Sequence, residues 1–224
     1  MKYIDYTAMF AGKDERVGNQ LPRTKTDPSL LPDGYKLYRQ LLADADDKSV
    51  VIISLGFLLC LSDLIESGPD QYSKLGGYEL LSRKVSHIYM MGGRFRTDDE
   101  CYNFGAFCEQ SYNFLTNIPT DIYVTFSPSE TGDLVFYPEE AVVEDLADEP
   151  YNPIRMIYEY YDCDKVGQMM WDALVPINAV LGDGFFCFSP WGTVNCDGRC
   201  VTSFRADPDG HHRYQIAQQD SSWA

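Results

Sequence analysis

The sequence predicts an α/β protein: an open, mainly parallel sheet flanked by helices, with a small β-hairpin region near the C-terminus. Three observations predict it. Runs rich in β-branched and apolar residues recur at residues 49–55, 85–91 and 121–126. Stretches with apolar residues at helical spacing lie between them, and this alternation implies right-handed crossovers joining parallel strands. Beyond residue 184 the pattern shifts to short runs separated by turn residues, with Asp197-Gly198 between two of them as a hairpin signal.

The elements follow in order. Residues 1–34 carry turn chemistry (Ala11-Gly12-Lys13, Leu21-Pro22, Asp27-Pro28, Pro32-Asp33-Gly34) and read as loop with short elements. Residues 35–45 place Leu37, Leu41 and Leu42 on one helical face, with Asp33 as the cap. The run Val50-Val51-Ile52-Ile53 is continuously apolar, as expected of a strand covered on both sides. Gly56 ends it, and residues 57–67 read as a helix with Leu58, Leu61, Leu64 and Ile65 inward. Residues 77–84 are helical, 85–91 form the next buried strand, 104–116 are helical, and 121–126 form a third strand. Residues 127–150 change character, from Ser127-Pro128-Ser129-Glu130 to an acidic stretch that reads as a solvated, mobile surface segment. Residues 152–161 and 169–181 look helical.

Composition bounds the function. A chain of 224 residues with 45% hydrophobic and 14% aromatic content can bury a substantial core, and residues 1–224 are expected to form a single domain. Its net charge of −16 repels phosphate backbones, which argues against nucleic-acid binding; the acids are spread over several segments and read as a solubility feature. No apolar run reaches the ~20 residues needed to cross a bilayer, and residues 1–5 lack a secretory core, so no membrane association and a cytoplasmic location are expected. Seven irregularly spaced cysteines do not form a disulfide framework.

The chemistry-bearing residues sit where strands end. Met90-Met91-Gly92-Gly93 closes a buried strand in a glycine turn, and in open α/β sheets that end binds ligands. Asn103, between Tyr102 and Phe104, suits a hydroxylated ligand; as a helix cap it is equally sensible. Cys196 and Cys200 with His211 and His212 sketch a zinc site, against which Asp197-Gly198 explains the two cysteines as flanks of a hairpin. His87, inside an apolar strand, reads as a packed core residue.

Five blocks, in this order and spacing, resemble the inosine-uridine nucleoside hydrolase superfamily: Ser54-Leu55-Gly56-Phe57-Leu58, Met90-Met91-Gly92-Gly93, Tyr102-Asn103-Phe104, Trp171-Asp172, and the tail from Asp207 through His211-His212 to Tyr214. The resemblance runs from about residue 35 to the C-terminus. It implies a nucleoside-hydrolase-like fold that hydrolyses the N-glycosidic bond of small-molecule ribonucleosides with a calcium ion at the C-terminal edge of the sheet. It implies Asp172 as a calcium ligand that also touches ribose, and Leu59 as a second ligand through its main-chain carbonyl. Asn103 matches a ribose contact, and Met91 lies beside it at the strand's end. Glu100 stands one step from the family's ribose-binding glutamate, whose place is Cys101. Trp171 occupies the position of a histidine that assists the departing base. Asp172 also reads simply as an acid at the start of the following helix.

Departures from the family accumulate at the front. Its Asp-x-Asp-x-x-x-Asp-Asp cluster supplies the general base and most calcium ligands; residues 1–34 hold only Asp5, Asp14, Glu15, Asp27 and Asp33, without that spacing. The expectation is an N-terminally incomplete member with an exposed sheet edge or apolar groove, covered by residues 1–34 or by a second copy in a homo-oligomer. Three readings follow: a nucleoside hydrolase with impaired turnover, a non-catalytic ligand-binding or interaction module, and one part of a split hydrolase.

Overall fold

A computed structural model describes residues 27–138 and 167–216, together with positions 140, 144, 152, 155 and 158. The chain divides into two compact units, residues 32–135 with 170–224 and residues 1–31 with 136–169.

The larger unit is built on a six-stranded sheet. Its strands are β1 (Val50–Ser54), β2 (Val85–Met91), β3 (Tyr123–Ser127), β6 (Gly192–Cys196), β7 (Thr202–Ala206) and β8 (His212–Tyr214), in the order β1-β2-β3-β8-β6-β7. The first four in that order are mutually parallel, and the β6–β7 hairpin continues the sheet antiparallel. The expected mainly parallel sheet and C-terminal hairpin are both present. The hairpin turns at Asp197-Gly198, where Asp197 Oδ1 accepts the amides of Arg199 and Val201. Strand β8 lies in the tail, where the sequence carries no strand signal. It is three residues long, too short to show a period, yet it extends the parallel ladder beside β3.

Helices α1 (Gly34–Asp44), α2 (Leu59–Glu66), α3 (Gly77–Lys84), α4 (Tyr102–Gly105) and α5 (Cys108–Asn117) precede β3, and α6 (Ser129–Gly132) and α7 (Leu174–Leu181) follow it. Register explains the core. Ile52, Ile88 and Val124 pair across β1, β2 and β3 and are all buried, packed with Leu61, Leu64, Leu80, Phe104 and Phe114 from the helices. The alternate rows, Val51–His87–Tyr123 and Ile53–Tyr89–Thr125–Arg213, fall on the opposite face. There α7 packs against β1 and β2.

Four expectations need correction. Strand β1 is only partly covered on its second face: among the described residues it is the sheet's last strand, and Val51 and Ile53 remain 47% and 38% exposed although α7 packs on that side. Helix α1 turns Tyr35, Tyr38 and Leu42 inward, leaving Leu37 and Leu41 exposed. Its largest buried side chain is Arg39, because a pocket of acceptors receives the guanidinium. Asp70 takes Nε and Nη2 at 2.7 and 3.1 Å, Ser67 Oγ takes Nη1, and the carbonyls of Ser73 and Leu75 take Nη2. The helix expected over 104–116 is broken into α4 and α5 around Phe107, whose backbone leaves the helical region. Finally, α7 starts only at Leu174, after a turn through Trp171-Asp172-Ala173. Asp33 does stand at the N-cap of α1, but its carboxylate pairs with Lys36 rather than with a helix amide.

In the smaller unit, β4 (Phe136–Tyr137) pairs antiparallel with β5 (Gln168–Met169), and Pro28–Leu30 forms a 3-10 turn closed by Asp27 onto Ser29. Most of the acidic stretch and of the helix expected at 152–161 lies outside the described residues, as do residues 1–26. Among the described residues no helix is long and apolar enough to cross a membrane.

Candidate functional site

The C-terminal ends of β1 and β2 meet at one side chain. Asn103 Nδ2 donates to the carbonyl of Met91 at 3.1 Å and to that of Leu55 at 3.4 Å, and lies 3.0 Å from Met91 Sδ. The N-cap of α4 is Cys101, so Asn103 is not its cap. It bridges two strand ends instead, a position suited to meeting a ligand. The loop it touches is tightly built. Gly92 donates to Ser127 O, and Gly93, at φ +90°, donates to Cys101 Sγ at 3.0 Å. A Cβ on Gly92 would lie 2.3 Å from the Phe104 ring, so the approach of α4 to this strand end requires glycine.

Trp171 and Asp172 belong to a second cluster. The Trp171 indole packs on Gly132 and donates from Nε1 to Asp133 Oδ1 at 2.8 Å. Asp172 presents much of its surface to solvent, while the protein packed around its carboxyl raises the pKa through desolvation. The exposure makes this a modest effect. Its carbonyl accepts the amide of Val175 as α7 begins. Leu59 is the first residue of α2, and Glu100 is exposed with its methylene against Gly105. The structure thus joins Asn103 to Met91. No hydrogen bond among the described residues ties either to Asp172, Trp171, Leu59 or Glu100.

Calcium takes ~6–8 oxygen ligands, several of them carboxylates. Among the described residues no three His, Cys, Asp or Glu side chains converge to hold a metal. One carboxylate at Asp172 and one carbonyl at Leu59 do not fit that ion.

Several polar residues at the same sheet edge escaped sequence reasoning. Glu130 Oε1 accepts the amide of Phe95 at 2.7 Å, while its Oε2, Ser127 Oγ and Arg94 Nε are buried without partners. Thr202 Oγ1 accepts the amide of Arg94 and donates to its carbonyl, both at 2.9 Å, which pins the hairpin to the loop after β2. The available signal was Ser127-Pro128-Ser129-Glu130 directly after a buried strand.

The zinc sketch fails on its own ligands. Cys200 is disulfide-bonded to Cys108, and His212 Nδ1 accepts the Val194 amide. That bond joins positions 92 residues apart, a pairing that spacing alone did not reveal. His87 is half-buried, as expected of a packed residue: it stacks on Tyr89 at 4.1 Å, and its Nε2 lies 2.9 Å from Thr125 Oγ1. Burial, followed by the nearby Arg213 charge, lowers its pKa to about 4. Arg213 itself forks onto Asp183 at 2.8 Å and stacks on Phe188.

No family model matches the chain, and no curated protein matches it. Solved structures do. A plant nucleoside hydrolase is 17% identical with a TM-score of 0.62, covering 97% of this chain and 71% of that one. A purine-preferring ribonucleoside hydrolase from Gardnerella vaginalis is 15% identical with a TM-score of 0.64, covering 98% and 71%. An inosine-uridine preferring nucleoside hydrolase from Bacillus anthracis is 14% identical with a TM-score of 0.58, covering 85% and 62%. At these identities the likeness is one of architecture: the chain has the fold of the nucleoside hydrolases.

Proposed function

We propose that the chain is a nucleoside-hydrolase-like protein that binds a small ribonucleoside at the C-terminal edge of β1 and β2. N-glycosidic hydrolysis is impaired unless further carboxylates are supplied. The observation that supports this reading is the Asn103 bridge between Leu55 and Met91, which holds a polar side chain at the ligand-binding end of the sheet. Cleaving a ribosyl bond passes through an oxocarbenium-like state, stabilised by negative charge near the sugar, and its water needs an ionised base or a metal. The described residues bring no such carboxylate set together.

Titration calorimetry with inosine and uridine, beside turnover of p-nitrophenyl riboside with and without calcium, tests the reading. Binding with a Kd of about 1 mM or tighter, weakened by Asn103→Ala, is expected. Absence of any binding heat at that concentration sinks it. One part of a split hydrolase is a second reading, favoured by β1, whose other edge has no strand partner among the described residues. A co-expressed polypeptide restoring turnover would establish that reading.

A further inference from the structure

The Cys108–Cys200 pair stands outside the machinery described above. Cys108 opens α5, three residues after α4 and its Asn103. Cys200 closes the hairpin turn between β6 and β7, fully buried and with φ at +60°. Two residues on, Thr202 grips Arg94 in the loop after β2. The sulfur bridge and the threonine together fasten the hairpin to both ends of the segment that carries Asn103.

We propose that Cys108–Cys200 is a reversible thiol–disulfide site whose redox state sets the order of the segment 92–107. Both states have partners prepared. Cys200 Sγ lies 3.1 Å from the carbonyl of Cys108, and Cys108 Sγ lies 3.6 Å from that of Gly198. A disulfide sulfur has no proton to donate, so these contacts become hydrogen bonds only after reduction. Access is one-sided: Cys108 is half-buried and Cys200 is sealed. An incoming low-molecular-weight thiolate therefore attacks Cys108 Sγ, forms a mixed disulfide there and expels the Cys200 sulfur as a thiolate, which takes up a proton. A second thiolate then attacks the mixed disulfide and releases Cys108. The reductant leaves as its own disulfide after giving two electrons, and two protons end on the protein. The neighbouring buried thiols do not intercept this exchange, because burial raises the pKa of both Cys101 and Cys196 and keeps them protonated.

The test uses the full chain, oxidised and then reduced by dithiothreitol or a glutathione buffer. Alkylation under denaturing conditions, with peptide mapping, should add two labels after reduction, on Cys108 and Cys200. Hydrogen exchange should then quicken by about tenfold in peptides covering 92–107, and reoxidation should reverse it. The Cys108→Ser variant should show the fast exchange in both buffers. If that variant does not fold, reduced wild type gives the same readout alone. Unchanged exchange at 92–107, or labels that map elsewhere, overturns the proposal. The readout needs no ligand, so failure of nucleoside binding counts against the proposed function and not against this site.

Discussion

Replacing Asn103 separates its part in holding the sheet edge from its part in meeting a ligand. The amide makes one good contact, to Met91 O at 3.1 Å, and one long contact, to Leu55 O at 3.4 Å. A neutral hydrogen bond is worth about 1 kcal/mol net, and a buried acceptor left alone costs about 1–3 kcal/mol. Met91 is buried and Leu55 is exposed, so only the first carbonyl is stranded without water. Asn103→Ala should therefore destabilise by about 2 kcal/mol, or roughly 4–8 °C in melting temperature for a chain of this size. Asn103→Asp keeps the shape but turns a carboxylate toward two carbonyl oxygens, at about 3 kcal/mol near neutral pH. That repulsion raises the folded pKa of the new acid above its unfolded value near 4. The defect is accordingly present above the folded pKa and fades as pH falls through it toward ~4, because the protonated acid donates again. Melts of wild type and both variants between neutral and mildly acidic pH check this. An Asn103→Asp variant as stable as wild type at pH 7, or one with no relative recovery in acid, refutes the bridging role.

Further outcomes follow from other parts of the structure. Arg39→Met should cost about 3 kcal/mol in urea unfolding, at the low end for breaking a buried pair, since the stranded Asp70 is 27% exposed and can rehydrate; a loss below about 1 kcal/mol contradicts the pocket. The pair holds the Asp70 carboxyl at about 2, so its contribution is present above the unfolded value near 4 and vanishes between there and ~2, a slope that Asp70→Asn should flatten. His87 and His212, both lowered to about 4 chiefly by burial, should give stability that is full above the unfolded value near 6.5 and declines toward ~4, and His87→Asn should reduce that slope in pH-dependent melts. Millimolar calcium should leave the melting temperature of wild type and Asp172→Ala equally unmoved; a calcium-dependent rise that the substitution removes would restore the metal reading.

What the sequence showed and what it hid divide by range. Strand β2 was legible because Val85 and the run Ile88 to Met91 are apolar and end at Gly92-Gly93, and the hairpin because Asp197-Gly198 is local turn chemistry. The inward face of α1 was hidden, since three leucines advertise one stripe and Arg39 is buried only because Asp70 and Ser67 arrive from 28–31 positions later. The same holds at the site. Met91 and Asn103 could be picked out individually, but not that one amide would clamp two strand ends, nor that Glu130 would reach back to Phe95, 35 positions earlier. Cys108 and Cys200 meet only once α5 packs beside the β6–β7 hairpin.

The flank of β1, which has no strand partner among the described residues, has a practical consequence. A row of backbone donors and acceptors beside Val51 and Ile53 is a template on which any extended chain can zip up, including another molecule's own VVIIS segment. Concentrated stocks should then thicken with storage by seeded growth, and a gatekeeper lysine at Val51, whose side chain already faces water, should slow that growth while leaving the hydrophobic interior intact.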